Sequence, residues 1–121
     1  MTTLLVLYLI FGALLVILSI PLLRGKIKPN GLYGFRVRAT LENPEIWYAV
    51  NRHSAKRILA SGVAIFLAAI VLYSIPNITL DQYALGVLLV FVIVFGTGLI
   101  QSVLYLKEQV NASAKNISED I

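Results

Sequence analysis

Three stretches of the chain carry no charge at all, and each is long. Leu4 to Leu23 runs for 20 residues, Ile58 to Ile75 for 18, and Tyr83 to Leu106 for 24, where Lys107 ends it. At about 1.5 Å per residue the first reaches roughly 30 Å, the thickness of the hydrocarbon layer of a bilayer. In hydrocarbon each unpaired backbone group costs several kcal/mol, so such runs must be helices that satisfy their own amides. A strand barrel would show alternating segments of about ten residues, and the chain has none. The pattern predicts an all-α membrane protein. Three transmembrane helices, at about 4–23, 58–75 and 83–106, form a single domain over 1–111, and 112–121 is a polar tail expected to fray. The first run has no basic residue ahead of it and no small-x-small site behind it, so it is expected to be a retained helix rather than a cleaved signal.

Local punctuation agrees with these bounds. Asn43-Pro44-Glu45 reads as N-cap, first-turn proline and first-turn acid, which starts a helix well ahead of the second span. Continued to Ile75, that helix projects beyond the membrane or bends along its surface, with Ser61-Gly62 as a candidate kink. Thr79-Leu80-Asp81-Gln82 matches a capping box opening the third helix. Pro21 sits where it bends or ends the first.

Composition sharpens the class. Apolar residues make up 59% of the 121 residues and charged ones 13%, against about 45–50% and 25% in soluble domains. A soluble globule built from this chain would lack the polar surface to cover itself. The chain has no Cys and one His, which removes thiol chemistry and leaves a metal cage without ligands. No metal, cofactor or catalytic residue is expected, and the chain is read as a non-enzyme.

The net charge of +4 gains meaning from its position. Between the first two spans, 24–57 hold Arg24, Lys26, Lys28, Arg36, Arg38, Arg52, Lys56 and Arg57 against Glu42 and Glu45, while 76–82 hold only Asp81. Cytoplasmic loops collect Lys and Arg. The expected localisation is a multi-pass protein of the cell membrane with the N-terminus outside and both loop 24–57 and the C-terminus cytoplasmic. Each basic residue near an anionic leaflet contributes roughly 1 kcal/mol, so bilayer and anionic headgroups are expected partners. Topology already explains the cations and no recognition motif is present, so nucleic acid is not expected.

No ionisable residue falls inside a span, which argues against an ion-coupled transporter or proton relay. Ala60, Ala64 and Ala68 recur every four residues, and Gly98 with Ser102 repeats the spacing. Small residues at this interval let membrane helices approach closely, either to pack the three helices together or to form a homo-oligomer seam. Gln101 is expected to hydrogen-bond a neighbouring helix.

The informative segment is the loop. Pro29-Asn30-Gly31 signals a turn, and Gly34 permits backbone that other residues resist. Arg36 and Arg38 alternate with Phe35 and Val37, suggesting a short extended piece with cations on one side. Trp47 lies one turn into the following helix, where an indole sits well at headgroup level. Asn51 follows on the same face. His53, a lone imidazole among cations, reads as an ordinary exposed or interfacial residue. A compact loop capping the helix ends is expected, with Asn30, Gly34, Arg36, Arg38, Trp47, Asn51 and Arg52 as candidate binding residues. The Arg36 fork suits a lipid phosphate or partner carboxylate, and suits equally a structural tie to Asn30 and nearby carbonyls.

The pattern Pro29-Asn30-x-x-x-Gly34-x-Arg36, then Thr40, Trp47 and Asn51-Arg52, followed by two apolar spans, resembles the SdpI family of small bacterial membrane proteins. The resemblance covers most of the chain, from the middle of the first helix to the end of the third. It departs from the family at Val37 and Arg38, where Thr and then Pro are more usual. The best-known member also has an additional N-terminal membrane half that these three spans do not supply. The resemblance implies immunity to a membrane-active peptide toxin and signalling through a cytoplasmic regulator held at the membrane. The alternative expectation is a structural or regulatory subunit beside a larger membrane complex.

Overall fold

A computed structural model describes residues 1–120. It contains four helices: α1 (Thr2–Leu23), α2 (Arg38–Glu42), α3 (Pro44–Tyr73) and α4 (Leu80–Asp120). Strands are absent among the described residues, and α1, α3 and α4 are each long and apolar enough to cross a membrane.

The helix ends follow from local chemistry. The Asn43 side chain accepts from the Glu45 and Ile46 amides at 3.0 and 3.4 Å, capping α3 as the sequence predicts. Thr79 and Gln82 exchange side-chain bonds to each other's backbone, both at 3.1 Å, and so close the box that opens α4. Pro21 lies inside α1, which continues through it to Leu23. The stop comes at Gly25, whose φ of 68° is left-handed. Its amide donates to the Leu22 carbonyl at 3.2 Å and the Lys26 amide to Pro21 at 3.0 Å. That pair of bonds is a Schellman cap, which favours glycine at this one position. In the short connection after α3, Asn77 also takes a left-handed φ of 61°, a conformation asparagine tolerates because its side chain bonds locally.

α3 runs as one continuous helix through Ser61-Gly62. One expectation about helix extent needs correction. The tail does not lack structure in the described residues, since α4 runs unbroken through it to Asp120. Residues 112–120 are Ala, Ser, Lys, Asn, Ile, Glu and Asp, with neither Gly nor Pro, the two residues that most strongly stop a helix.

α3 is the central helix and packs along both α1 and α4. The seam with α1 closes at Gly12 and Gly62, where a Cβ on either glycine would come within 2.8 or 2.7 Å of the other's carbonyl oxygen. On the α4 side Gly98 and Ser102 are buried, and a Cβ on Gly98 would meet the Arg57 Cβ at 2.9 Å. Small residues therefore bring the backbones together, as expected. They are not the expected alanines. Ala60 is exposed and Ala64 and Ala68 only half-buried, whereas Ser61, Gly62, Ile65 and Ala69 are buried. The seam lies about 100° around the helix from the alanine stripe. Gln101 is likewise exposed and bonds no neighbouring helix among the described residues; its neighbour Ser102 takes the contact face and bonds back to Gly98 at 2.9 Å.

At the end remote from the loop, α1 and α4 touch through aromatic rings. Tyr8 meets Tyr83 edge to face with centroids 5.9 Å apart, and Phe11 meets Phe91 at 5.5 Å. The Tyr8 hydroxyl donates to the Ala84 carbonyl at 3.1 Å and the Tyr83 hydroxyl to Ala69 at 3.0 Å. Ile65, Ala69, Tyr83 and Val87 form the apolar core there.

Replacing Gly62 by Leu should force α1 and α3 apart. Overpacking of this kind costs about 1–3 kcal/mol, so thermal unfolding in detergent should show a clearly lowered midpoint. Ala60→Leu, on the exposed side, should leave the midpoint nearly unchanged.

Candidate functional site

The segment between α1 and α2 has no regular structure, so its backbone polar groups need partners from side chains. They come from a few residues. Asn30 folds the turn on itself: its Oδ1 accepts from the Leu32 and Tyr33 amides at 2.9 and 2.8 Å, and its Nδ2 donates to the Lys28 carbonyl at 2.7 Å. The Arg36 guanidinium donates to the Gly31 carbonyl across the same turn. Of its two possible uses, the structure contains the tie within the loop.

Asn51 joins the loop to α3. Its Oδ1 accepts the Phe35 amide, and its Nδ2 donates to the Trp47 carbonyl at 2.9 Å and reaches the Phe35 carbonyl at 3.5 Å. The side chain is 1% exposed, so these bonds replace water entirely. Gly34 makes the approach possible. Its φ is 112°, and a Cβ there would sit 2.8 Å from the Asn51 Oδ1 and 3.1 Å from the Trp47 ring. Trp47 is fully buried beneath the loop and donates from its indole to the Ile27 carbonyl at 2.8 Å. It is therefore no headgroup anchor, because the loop folds over its ring and leaves none of it to the interface.

Arg52 spans from α3 to the end of α1, its Nε donating to the Leu23 carbonyl at 3.2 Å. A cation there also meets the negative end of the α1 dipole. Arg38 stands apart from the other candidates. It begins α2 rather than continuing an extended piece, and pairs with Glu42 at 2.9 Å on the open surface. The extended backbone ends at Val37 (φ −122°, ψ 169°). Thr40 ends it: its Oγ1 accepts the Val37 amide at 3.0 Å and lies 2.9 Å from the Phe35 carbonyl, to which it donates. The sequence reading gave Thr40 no role, although a threonine three residues into a short helix is a recognisable local signal.

Beneath this loop lies a cleft of 270 Å³ between α1 and α4. Tyr33, Gly34 and Phe35 roof it, Leu15, Leu18 and Leu22 form one wall, and Phe95, Gly98 and Leu99 form the other. Its floor on α3 carries Ser54, Arg57, Ile58 and Ser61. The serine hydroxyls bond within α3, Ser54 to Asn51 at 3.4 Å and Ser61 to Arg57 at 3.0 Å. The Tyr33 hydroxyl donates to the Leu18 carbonyl, and burial pushes this phenol above its ordinary range, keeping it a neutral donor. Among the described residues, the one charged residue lining the cleft is Arg57, which is exposed. Read in sequence as a mere orientation charge, Arg57 joins the site only through the register of the helices.

His53 is half-buried. Its ring stacks on Tyr105 with centroids 4.2 Å apart, and its buried Nδ1 has no partner among the described residues. No group of three His, Asp or Glu among those residues could hold a metal ion.

Trp47→Phe should leave the Ile27 carbonyl without its donor and cost about 1–3 kcal/mol. Asn51→Ala should cost at least as much, since it frees the Phe35 amide and leaves the Phe35 carbonyl to Thr40 alone. Limited proteolysis should cut both variants within 24–42 under conditions where the wild-type loop survives.

No curated protein and no solved structure matches the chain. Residues 26–104, which begin in the loop and run through α2 and α3 into α4, match the SdpI/YfhL protein family. That span includes all the residues that tie the loop together and to α3, together with the seam between α3 and α4, and the chain belongs to the SdpI/YfhL family of multi-pass membrane proteins.

Proposed function

We propose that the chain is a non-enzymatic membrane protein that protects its cell from a membrane-active peptide and signals that encounter to a cytoplasmic regulator. Membership of the SdpI/YfhL family carries this reading. The docked loop supports it: residues shared with the family pattern go into holding a rigid surface, with no nucleophile or acid–base pair set beside them. In this reading the N-terminus lies outside, and loop 24–57 and the C-terminus face the cytoplasm of a cell bounded by that membrane, a placement the massed cations favour.

The loop then offers a regulator a fixed, mixed surface. Leu32 is 92% exposed at the turn tip, and Val37, Leu41, Lys28, Arg36 and Arg38 are exposed along the same segment. Exposed apolar groups rimmed by cations suit a partner with an apolar, acidic face.

Two measurements test the proposal. Expression should raise the survival of cells challenged with a membrane-active peptide toxin, and Arg36→Ala, which loosens the turn, should lower that protection severalfold. Absence of protection against a panel of such peptides would remove the immunity role. Because the native chain has no Cys, Leu32→Cys gives a single label site. A membrane-impermeant maleimide should modify it only after the cells are permeabilised.

A further inference from the structure

Arg57 lies deeper than its place in the sequence suggests. Its Cβ faces Gly98, nine residues before Lys107 ends the apolar run of α4, which is roughly 13 Å of helix. On the other side, the Gly12–Gly62 crossing and the Arg52 bond to Leu23 bracket it. They set Arg57 level with Ile17 and Leu18, about 8 Å inside the end of α1. The Arg57 backbone therefore lies level with the apolar runs of both neighbours, while its long side chain is exposed at the edge of the cleft it lines. The one ion pair among the described residues joins Arg38 to Glu42, so no carboxylate of the chain meets Arg57. A cation at the edge of an apolar cleft, without an internal counter-ion, is open to pair with an anion from outside.

The surroundings specify what carries that anion. The cleft is otherwise lined by leucine, isoleucine and phenylalanine, with its serine hydroxyls already bonded within their own helices. At 270 Å³ it falls just below the range of about 300–1,000 Å³ typical of small-molecule sites, which suits one flexible hydrocarbon chain better than a fused-ring ligand. We propose that this cleft holds a single anionic phospholipid, one acyl chain lying between α1 and α4 beneath Tyr33-Gly34-Phe35 and the phosphate paired with Arg57. The planar guanidinium fork matches phosphate oxygens two at a time. Such a site differs from the diffuse attraction of the loop for a charged leaflet, because it needs both the Arg57 charge and the open cleft.

Native mass spectrometry of the full chain in a non-ionic detergent tests this, with phosphatidylglycerol and phosphatidylcholine of identical chains as probes. The wild type should retain one phosphatidylglycerol at least tenfold more tightly than phosphatidylcholine. Arg57→Gln should abolish that preference and Arg57→Lys retain part of it. Leu18→Trp, which fills the cleft while keeping the carbonyl that Tyr33 needs, should weaken phosphatidylglycerol at least tenfold. Lys56→Gln removes an equal charge one residue away and should change binding less than twofold. Equal affinity of the wild type for both lipids, which is readable even if a variant fails to fold, would overturn the proposal. So would a preference surviving in Arg57→Gln, wild-type binding by Leu18→Trp, or a loss in Lys56→Gln matching that in Arg57→Gln, which would mark surface attraction alone.

Discussion

An irregular segment resting on a membrane helix has to find a partner for every amide and carbonyl it turns away from water, and here the carboxamide of Asn51 supplies the decisive ones. One side chain receives the Phe35 amide, reaches the Phe35 carbonyl and bonds back to its own helix at Trp47. Buried polar groups left unpaired cost about 1–3 kcal/mol each, so an apolar residue at 51 would unseat the loop. Gly34 has to lack a side chain because Asn51 and Trp47 occupy that space. Trp47 fills the volume below, and Asn30 with Arg36 keeps the turn short enough for Phe35 to arrive in register.

The helices set the stage for that contact and gain from it. Tyr8, Phe11, Tyr83 and Phe91 fasten α1 to α4 at the far end, while at the loop end the two helices line opposite walls of a cleft. The docked loop roofs the cleft, so Asn51 governs its shape without lining it. Gly98 permits α4 to lie against the Arg57 stem, which sets the backbone of that residue below the level where the apolar runs of α1 and α4 end. A rigid surface on one side of the loop and an apolar cleft on the other thus share one support.

Much of this was legible in the sequence, and the remainder divides by distance along the chain. The membrane runs are one-dimensional facts, readable from the absence of charge. The caps at Asn43 and Thr79 are local, since donor and acceptor lie within three residues. The turn at Asn30 and the need for glycine at 34 were visible for the same reason, although the partners of Gly34 were not. Packing faces were not legible: α1 is apolar all round, and α3 offers Ala60, Ala64 and Ala68 alongside Ser61, Gly62, Ile65 and Ala69. Hydrophobicity cannot choose between such stripes when lipid and protein are both apolar. Trp47 was misplaced because a fold that covers it depends on Ile27, twenty residues away. Gln101 and Arg57 needed the register of α3 against α4, which no spacing within one helix contains. The stop at Gly25 was readable in principle, but Pro21 was the more conspicuous signal.

Hydrogen exchange read residue by residue by NMR, in detergent micelles or nanodiscs, tests the clamp most directly. If Asn51 holds the loop, the Phe35 amide exchanges slowly, close to the rate of the α3 amides around Val50, and Asn51→Ala releases it. If Phe35 in the wild type exchanges as fast as Asn77 in the open connection between α3 and α4, the loop is not docked, and the account of the cleft and its roof is wrong.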